Sequence, residues 1–287
     1  MKTLIEVLED ARRRRVAVGH FNFSELAAFK AIVAAARSVG VPVMVGVSEG
    51  ERGFVGVRTA ADLVRSVREE FGMPIFLNAD HTHSIAKAEE AARAGFDEII
   101  FDASALPFEQ NIAETRKAVE AIKSINPAII VESEIGYIGT SSEILDKMPE
   151  HISAHTTAAE ARQFIEATRI DVLAPAVGNM HGLLQSMVRH EAEKRLDLGR
   201  IAELSQATGI FMTLHGGSGT NDADFQQAIR SGMTIVHINT ELRLAWRRAV
   251  EAALKASDEV TTYKLLEPAV AAVGEVVAAR LRLFNFM

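Results

Sequence analysis

His81, His181 and His215 each stand just past a short apolar run that reads as a strand. Neutral imidazoles brought to one point from separate strand ends, with a coordination position left open, form the donor set of a catalytic zinc site. Imidazole also suits other divalent first-row ions, so the donors put zinc first without naming the ion. Any one of these histidines alone would read as a strand cap bonded to a backbone carbonyl. Three on separate strands favour a metal. Asp80 precedes His81 directly and is the candidate acid/base. Neighbours on a strand point opposite ways, so one could hold metal while the other faces substrate. The competing reading makes Asp80 an orienter of an imidazole. Glu134 is a further ligand or a partner for His81. Glu132, of the same strand parity, is a buried partner for a lysine or histidine.

A second constellation follows His215. The segment His215-Gly216-Gly217-Ser218-Gly219 runs from a strand toward a helix that starts near Asn221. Glycines there let backbone amides approach an anion, and a helix start favours negative charge. A plain tight turn is the alternative, but phosphate sites in α/β barrels lie at this place in the chain. Ser218 and Thr240 would add hydroxyl donors. Asn22, Ser48, Asp102, Ser104, Asn179, His237 and Asn239 are the other polar residues at strand ends.

These residues need a scaffold that gathers strand ends on one rim. Eight buried-strand runs are visible: Val16 to Phe21, Pro42 to Val47, Pro74 to Asn78, Glu98 to Asp102, Ala128 to Glu134, Asp171 to Val177, Ile210 to Leu214 and Thr234 to Asn239. None shows clean polar alternation, as expected of strands covered on both faces. Helical segments separate them. Residues 25–39 place Leu26, Phe29, Ile32 and Val33 on one face, and Ser84 reads as an N-cap, which assigns its neighbour His83 to a helix start. Gly40, Gly95, Gly209 and Gly232 end helices just before strands. Strict β-then-α order over eight units predicts a single-domain (β/α)8 TIM barrel over residues 1–287, with an open doubly wound sheet as runner-up. Two stretches exceed the bare barrel: a long polar insert, Gly136 to His155, expected to be mobile, and a C-terminal extra helix, Thr261 to Phe286. The latter's Phe284 and Phe286 suggest a partner surface as well as barrel wall.

Composition narrows the partners. The chain has 287 residues, enough to bury a core without staples, and no cysteine, which excludes disulfides and thiolate chemistry. A net charge of −7 argues against nucleic acid, and the Arg12 to Arg15 run reads as a solvated helix end. No apolar stretch is long enough for a membrane span, and the N-terminus lacks a signal-peptide core, so a cytoplasmic protein is expected.

Seven segments in order carry a family likeness: Gly19-His-Phe-Asn22, Val47-Ser48-Glu-Gly50, Ala79-Asp-His81, Glu132-Ser-Glu-Ile-Gly136, Ala176-Val-Gly-Asn-Met-His-Gly182, Leu214-His-Gly-Gly-Ser218 and Asn239-Thr-Glu-Leu242. Over nearly the whole chain the sequence resembles the class II, metal-dependent fructose-bisphosphate and ketose-bisphosphate aldolases. The resemblance implies that His81, His181 and His215 bind the metal, with Glu134 near it, and that Asp80 is the acid/base. It implies that Gly182, Gly216 and Ser218 hold the phosphate of dihydroxyacetone phosphate, with Asn239 and Thr240 beside it. Asn22 and Ser48 match substrate-side positions, and Glu143 stands in for the acid of the family's mobile loop. The implied reaction is reversible cleavage of a ketose 1,6-bisphosphate, fructose 1,6-bisphosphate or an epimer, through an enediolate held on a divalent cation. The implied assembly is a homodimer or homotetramer, and the resemblance allows for a monovalent cation. The chain departs from the family at His237, where an Asn is usual, and at Gly139-Thr-Ser-Ser-Glu143, where the loop usually reads Gly-Gly-x-Glu-Asp. His237 and Asn239 share a parity, and like charge from a nearby cation would keep His237 neutral. Strand six holds no lysine, so a Schiff-base route has no support. Two other readings stay open: a metal-dependent lyase or isomerase of another sugar phosphate, and a non-catalytic barrel that senses one.

Overall fold

The computed structural model describes residues 2–139, 143–147, 155–189 and 191–287. Eight parallel strands close into a barrel: β1 Val18–Asn22, β2 Val43–Val47, β3 Ile75–Thr82, β4 Glu98–Phe101, β5 Ile130–Ile135, β6 Val172–Pro175, β7 Phe211–Leu214 and β8 Met233–Ile238. Neighbours in sequence are neighbours in space, and β8 closes on β1 through Val18↔Ile235 and His20↔His237. Closure rules out the open sheet. Seven of the strands match the apolar runs of the sequence to within two residues at each end, and β3 runs four residues beyond Asn78, through Asp80 and His81 to Thr82.

Strand parity divides the barrel interior into layers. Val18, Met44, Phe76, Ile130, Val172, Phe211 and Ile235 form an apolar layer at the N-terminal end. The helix Leu4–Arg14 presses Leu4, Val7, Leu8 and Ala11 against that layer and plugs the barrel floor. Its C-terminal Arg12 folds back, donating to the Gly209 carbonyl at 2.8 Å and lying over the Phe211 ring. Two residues further along the strands the interior turns polar. His20, Asn78, Glu132, Thr213 and His237 are all buried there, together with Glu98. Polar groups in such a place must find partners within the barrel. Asn78 donates to Glu98 at 2.6 Å and Thr213 to Glu132 at 2.6 Å. Burial, reinforced by the charge of Glu132, raises the Glu98 pKa well above the usual carboxylate range. A further step along the strands brings the rim that carries the chemistry.

The outer helices fill the wall as their periodicity predicts. Leu26–Val39 buries Phe29, Ile32 and Val33, but Leu26 is exposed, because it is the first residue of the helix and lies above the contact with the barrel. Gly40, Gly95 and Gly209 cap their helices in the left-handed region. The C-terminal helix Thr262–Phe284 packs along Leu26–Val39 and Thr240–Ala256. Phe284 is fully buried in the barrel wall, and Phe286 sits half-buried beneath the Arg230 guanidinium. Both phenylalanines therefore serve the wall. Of the polar insert at 136–155, residues 140–142 and 148–154 lie outside the described residues. Within its described part, Ile144–Leu145 pairs with Leu183–Leu184 in a two-stranded ladder over the rim.

Candidate active site

The long strand β3 sets the site's centre. Its register against β4 shifts between Ala79 and Thr82, and His81 adopts φ 41°, a left-handed conformation rare for a non-glycine residue. This bulge cancels the parity that would send Asp80 and His81 to opposite faces. Both point into the barrel mouth, with Asp80 Oδ1 3.7 Å from His81 Nε2. The opposed orientation expected for these neighbours is thus corrected by a kink that sequence periodicity does not reveal. Local strain of this kind persists where surrounding contacts hold it. Here Arg52, buried beneath the bulge, donates to the carbonyls of Val47 and Asp80 and to the Thr82 hydroxyl.

His81, His181, His215 and Glu134 each offer a ligand atom, all within 4.8 Å of one another. His81 Nε2 and His215 Nδ1 lie 3.2 Å apart. Two donors about 2.0–2.1 Å from one tetrahedral ion would be about 3.3 Å apart, so the spacing matches. The outer ring nitrogens are fixed by carboxylates. His81 Nδ1 lies 2.8 Å from Asp102 Oδ2, and His215 Nε2 lies 2.6 Å from Glu132 Oε1. A carboxylate only accepts, so both outer nitrogens carry protons, and both inner ones can present lone pairs to a cation. His181 is held by its backbone N–H on the Ile138 carbonyl at 2.9 Å. Its Nε2 and Glu134 Oε2 are buried without a hydrogen-bond partner, so their lone pairs stay open to an ion. The donor set therefore fits a divalent cation.

Like and opposite charges crowd together in this cluster. Burial lowers the His81 pKa, but Asp80 and Asp102 more than reverse this and raise it to about 10. Burial raises Asp80, yet His81, His20 and His215, with the Asn22 hydrogen bond, hold its carboxyl below the usual range. Burial, then the charge of Asp102, pushes Glu134 well above it. Asp80 Oδ2 accepts from Asn22 Nδ2 at 2.7 Å, and its Oδ1 is buried without a hydrogen bond. The same Asn22 amide donates to Glu51, which also ties down the Ser48 backbone and Arg243. Ser48 lines the cleft but spends its hydroxyl capping the helix Glu49–Val55.

Asn22, Asp80, His181, Gly182, Gly216, Ser218, His237, Asn239 and Thr240 line one cavity at the rim. Eight of the expected catalytic and substrate-side residues and the expected metal ligand His181 thus meet there. Gly217 does not: its N–H donates to the His237 carbonyl at 3.2 Å, so that amide is committed to the fold. Gly216, at φ 58°, passes so close to Met180 that a Cβ would meet its carbonyl at 2.3 Å. An adjoining cleft of about 430 Å³ is lined by Ser48, Asp80, His81, Asp102, His181, Asn239 and Arg243, with the exposed Glu143 at its edge.

His237 stacks on His215 at 4.2 Å and on His20 at 3.5 Å, making a column of three imidazoles through the barrel mouth. Burial is the first cause lowering its pKa well below the usual histidine range, and the like charge of His20 and His215 adds to it. The neutral form was expected from like charge; desolvation is the larger cause. His237 Nδ1 is 3.8 Å from Asp80, and Asp80, His215 and His237 form a second cluster of potential donors. Sequence reasoning missed His20, whose place inside the barrel follows from its parity with Asn22. It also missed Glu51, Arg52 and Lys194, whose buried roles had no signal in the surrounding charged segments.

With the geometry in hand, comparison with known proteins is decisive. The family profile described as fructose-bisphosphate aldolase class-II matches residues 2–287. The chain belongs to the class-II fructose-bisphosphate aldolase family. The aldolase is 34% identical over 287 residues to a Bacillus subtilis (strain 168) protein named "Probable fructose-bisphosphate aldolase", covering 99% of this chain and 97% of the relative. It is 34% identical over 284 residues to the fructose-bisphosphate aldolase of Staphylococcus aureus (strain N315), covering 98% and 96%. Its barrel superposes on the crystal structure of the YdjI aldolase of Escherichia coli K12 with a TM-score of 0.81 and 27% identity, covering 99% and 97% of the two chains. As an aldolase it is a carbon–carbon lyase of the metal-dependent class. No helix among its described residues is long and apolar enough to cross a membrane.

Proposed function

We propose that this aldolase reversibly cleaves a ketose 1,6-bisphosphate to dihydroxyacetone phosphate and an aldehyde phosphate, using a zinc ion held by His81, His181 and His215 with Glu134 alongside. The observation that carries the reading is the pair of inner nitrogens of His81 and His215, 3.2 Å apart, each aimed by a carboxylate behind it. Bound there, the cation supplies a Lewis acid for the negative charge that develops on the ketose oxygens as the carbon–carbon bond breaks.

The remaining work falls to the chain's own groups. Asp80, ionised and held by Asn22, takes the proton from the C4 hydroxyl in cleavage and returns it in condensation. Gly182, Gly216 and Ser218, with Asn239 and Thr240 at the start of a long helix, receive the phosphate next to the reacting carbons. His237, neutral and stacked, offers a ring nitrogen to the ketose hydroxyls. Glu143, at the cleft edge, gives a proton to the C3 carbon freed by cleavage and takes it back in condensation. Ser48 bounds the substrate's path through its backbone and cap. A cytoplasmic location and a homodimer or homotetramer complete the proposal, and small sugar phosphates are its partners, with no nucleic acid or membrane involved.

The test is release of triose phosphate from a panel of ketose bisphosphates, with and without chelator. Chelator-sensitive release from at least one member supports the reading. Turnover that survives complete metal removal, or isomerisation without cleavage, would overturn it.

A further inference from the structure

Lys194 is buried, and its ammonium sits against three backbone carbonyls: Met180 at 2.7 Å, Gly182 at 2.7 Å and Gly216 at 2.9 Å. These oxygens belong to the two loops that carry the metal donors His181 and His215 and that line the phosphate cavity. An ammonium has three donors and no acceptor, so each of its N–H groups has one oxygen. A neutral amine would turn a lone pair toward one of them. Burial alone lowers the Lys194 pKa to about 7, and Glu241 opposes that fall. The lysine backbone is itself fixed, donating its N–H to the Gly219 carbonyl at 2.8 Å and bridging to Thr220. The stem therefore delivers its charge to a set place.

Convergent carbonyl oxygens are the coordination shell of a monovalent cation, since they replace its water. Gly216 and Met180 approach so closely that no side chain fits between them, and carbonyl dipoles crowded in this way repel unless a cation lies among them. The resemblance to metal-dependent aldolases allows for a monovalent cation. Beside this chain's metal donors the oxygens that would hold one are already engaged.

We propose that Lys194 is a tethered replacement for a monovalent cation: a positioning residue whose ammonium locks the Gly182 and Gly216 loops into the phosphate-receiving shape and makes the protein indifferent to potassium or sodium. The phosphate role of the loops rests on the proposed function; the occupancy of the carbonyl cradle does not. Removing the ammonium leaves a cavity and three unpaired oxygens, a site that a free small cation can fill.

The experiment compares wild type, Lys194→Ala and Lys194→Met in ammonium, potassium, sodium and choline chlorides at equal ionic strength. Two readouts are taken: melting temperature, and KM and kcat on an active ketose bisphosphate. Wild type should show the same melting temperature and turnover in all four salts. Lys194→Ala should melt lower in choline and recover in ammonium or potassium. Its KM should rise about 10–100-fold in choline, the worth of charge-assisted hydrogen bonds, and fall back with the small cation. Lys194→Met, whose stem fills the space, should stay impaired in every salt. Specific stimulation of wild type by potassium or sodium overturns the proposal without need of a variant. A folded Lys194→Ala that shows no preference for small cations over choline overturns it too. A wild type inactive on every ketose bisphosphate, with the melting pattern intact, would refute the proposed substrate and leave the cation replacement standing.

Discussion

Glu132→Gln isolates the electrostatic aiming of the metal site. Glu132 is fully buried, with Oε1 2.6 Å from His215 Nε2 and Oε2 accepting from Thr213 at 2.6 Å. The carboxylate forces the His215 proton onto Nε2 and leaves Nδ1 as a ligand. An amide of the same shape can instead turn its NH₂ to His215, moving the proton to Nδ1, the atom that faces His81. Loss of a partner of this type costs about 10–100-fold in metal affinity, or about 1.4–2.8 kcal/mol. The fold should not suffer, because removing this charge relieves the repulsion that raises Glu98. The assay is zinc binding by competition with a chromophoric chelator, beside the melting temperature of the metal-free protein. Affinity falling by that factor, with metal-free stability equal or higher, is the expected result. Unchanged affinity would refute the claim that Glu132 sets the ligand tautomer, and a large loss of metal-free stability would make the residue a structural one.

Asp80→Ala should retain zinc and lower turnover by about 10²–10⁴, the usual worth of a general acid/base; loss of metal along with activity would make Asp80 an orienter instead. His237→Asn should shift relative kcat/KM toward fructose 1,6-bisphosphate across the panel, because the imidazole stacked on His215 and His20 is larger than an amide; unchanged ratios would leave His237 a space-filling residue. Metal binding should release protons and strengthen as pH rises from about 6 to 9, since ligand histidines must be neutral to coordinate. In the metal-free protein the raised His81 pKa contributes stability below its ordinary value of 6.5, and this is lost as pH climbs through about 10. Isothermal titration in buffers of differing ionisation enthalpy and pH-dependent melting check both signs; pH-independent affinity would contradict them.

What the sequence made legible was set by periodicity. Each barrel strand is buried on both faces, so it stands out as an apolar run, and the polar residues at or after its C-terminal end gather near the rim. That places His81, His181, His215 and Asp80 without any coordinates. Parity fails where the backbone breaks its own repeat. The bulge at Asp80–His81 turns both side chains inward, and no local residue type announces it. Committed hydrogen bonds are equally silent: Gly217 looks like its neighbours in sequence, yet its amide is held by the His237 carbonyl. Lys194 lies in the charged run Glu193-Lys194-Arg195, where a solvated side chain is the ordinary expectation. Only the approach of two loops distant in sequence, around 181 and 216, gives its ammonium a destination.

The central claim is that one cation sits between His81, His181 and His215. Anomalous diffraction at the zinc edge from crystals of the zinc-loaded aldolase tests it directly. The account predicts a single strong peak about 2.0–2.1 Å from His81 Nε2, His181 Nε2 and His215 Nδ1. A peak placed instead among Asp80, His215 and His237, or none at all in protein whose turnover is abolished by chelator, would contradict it.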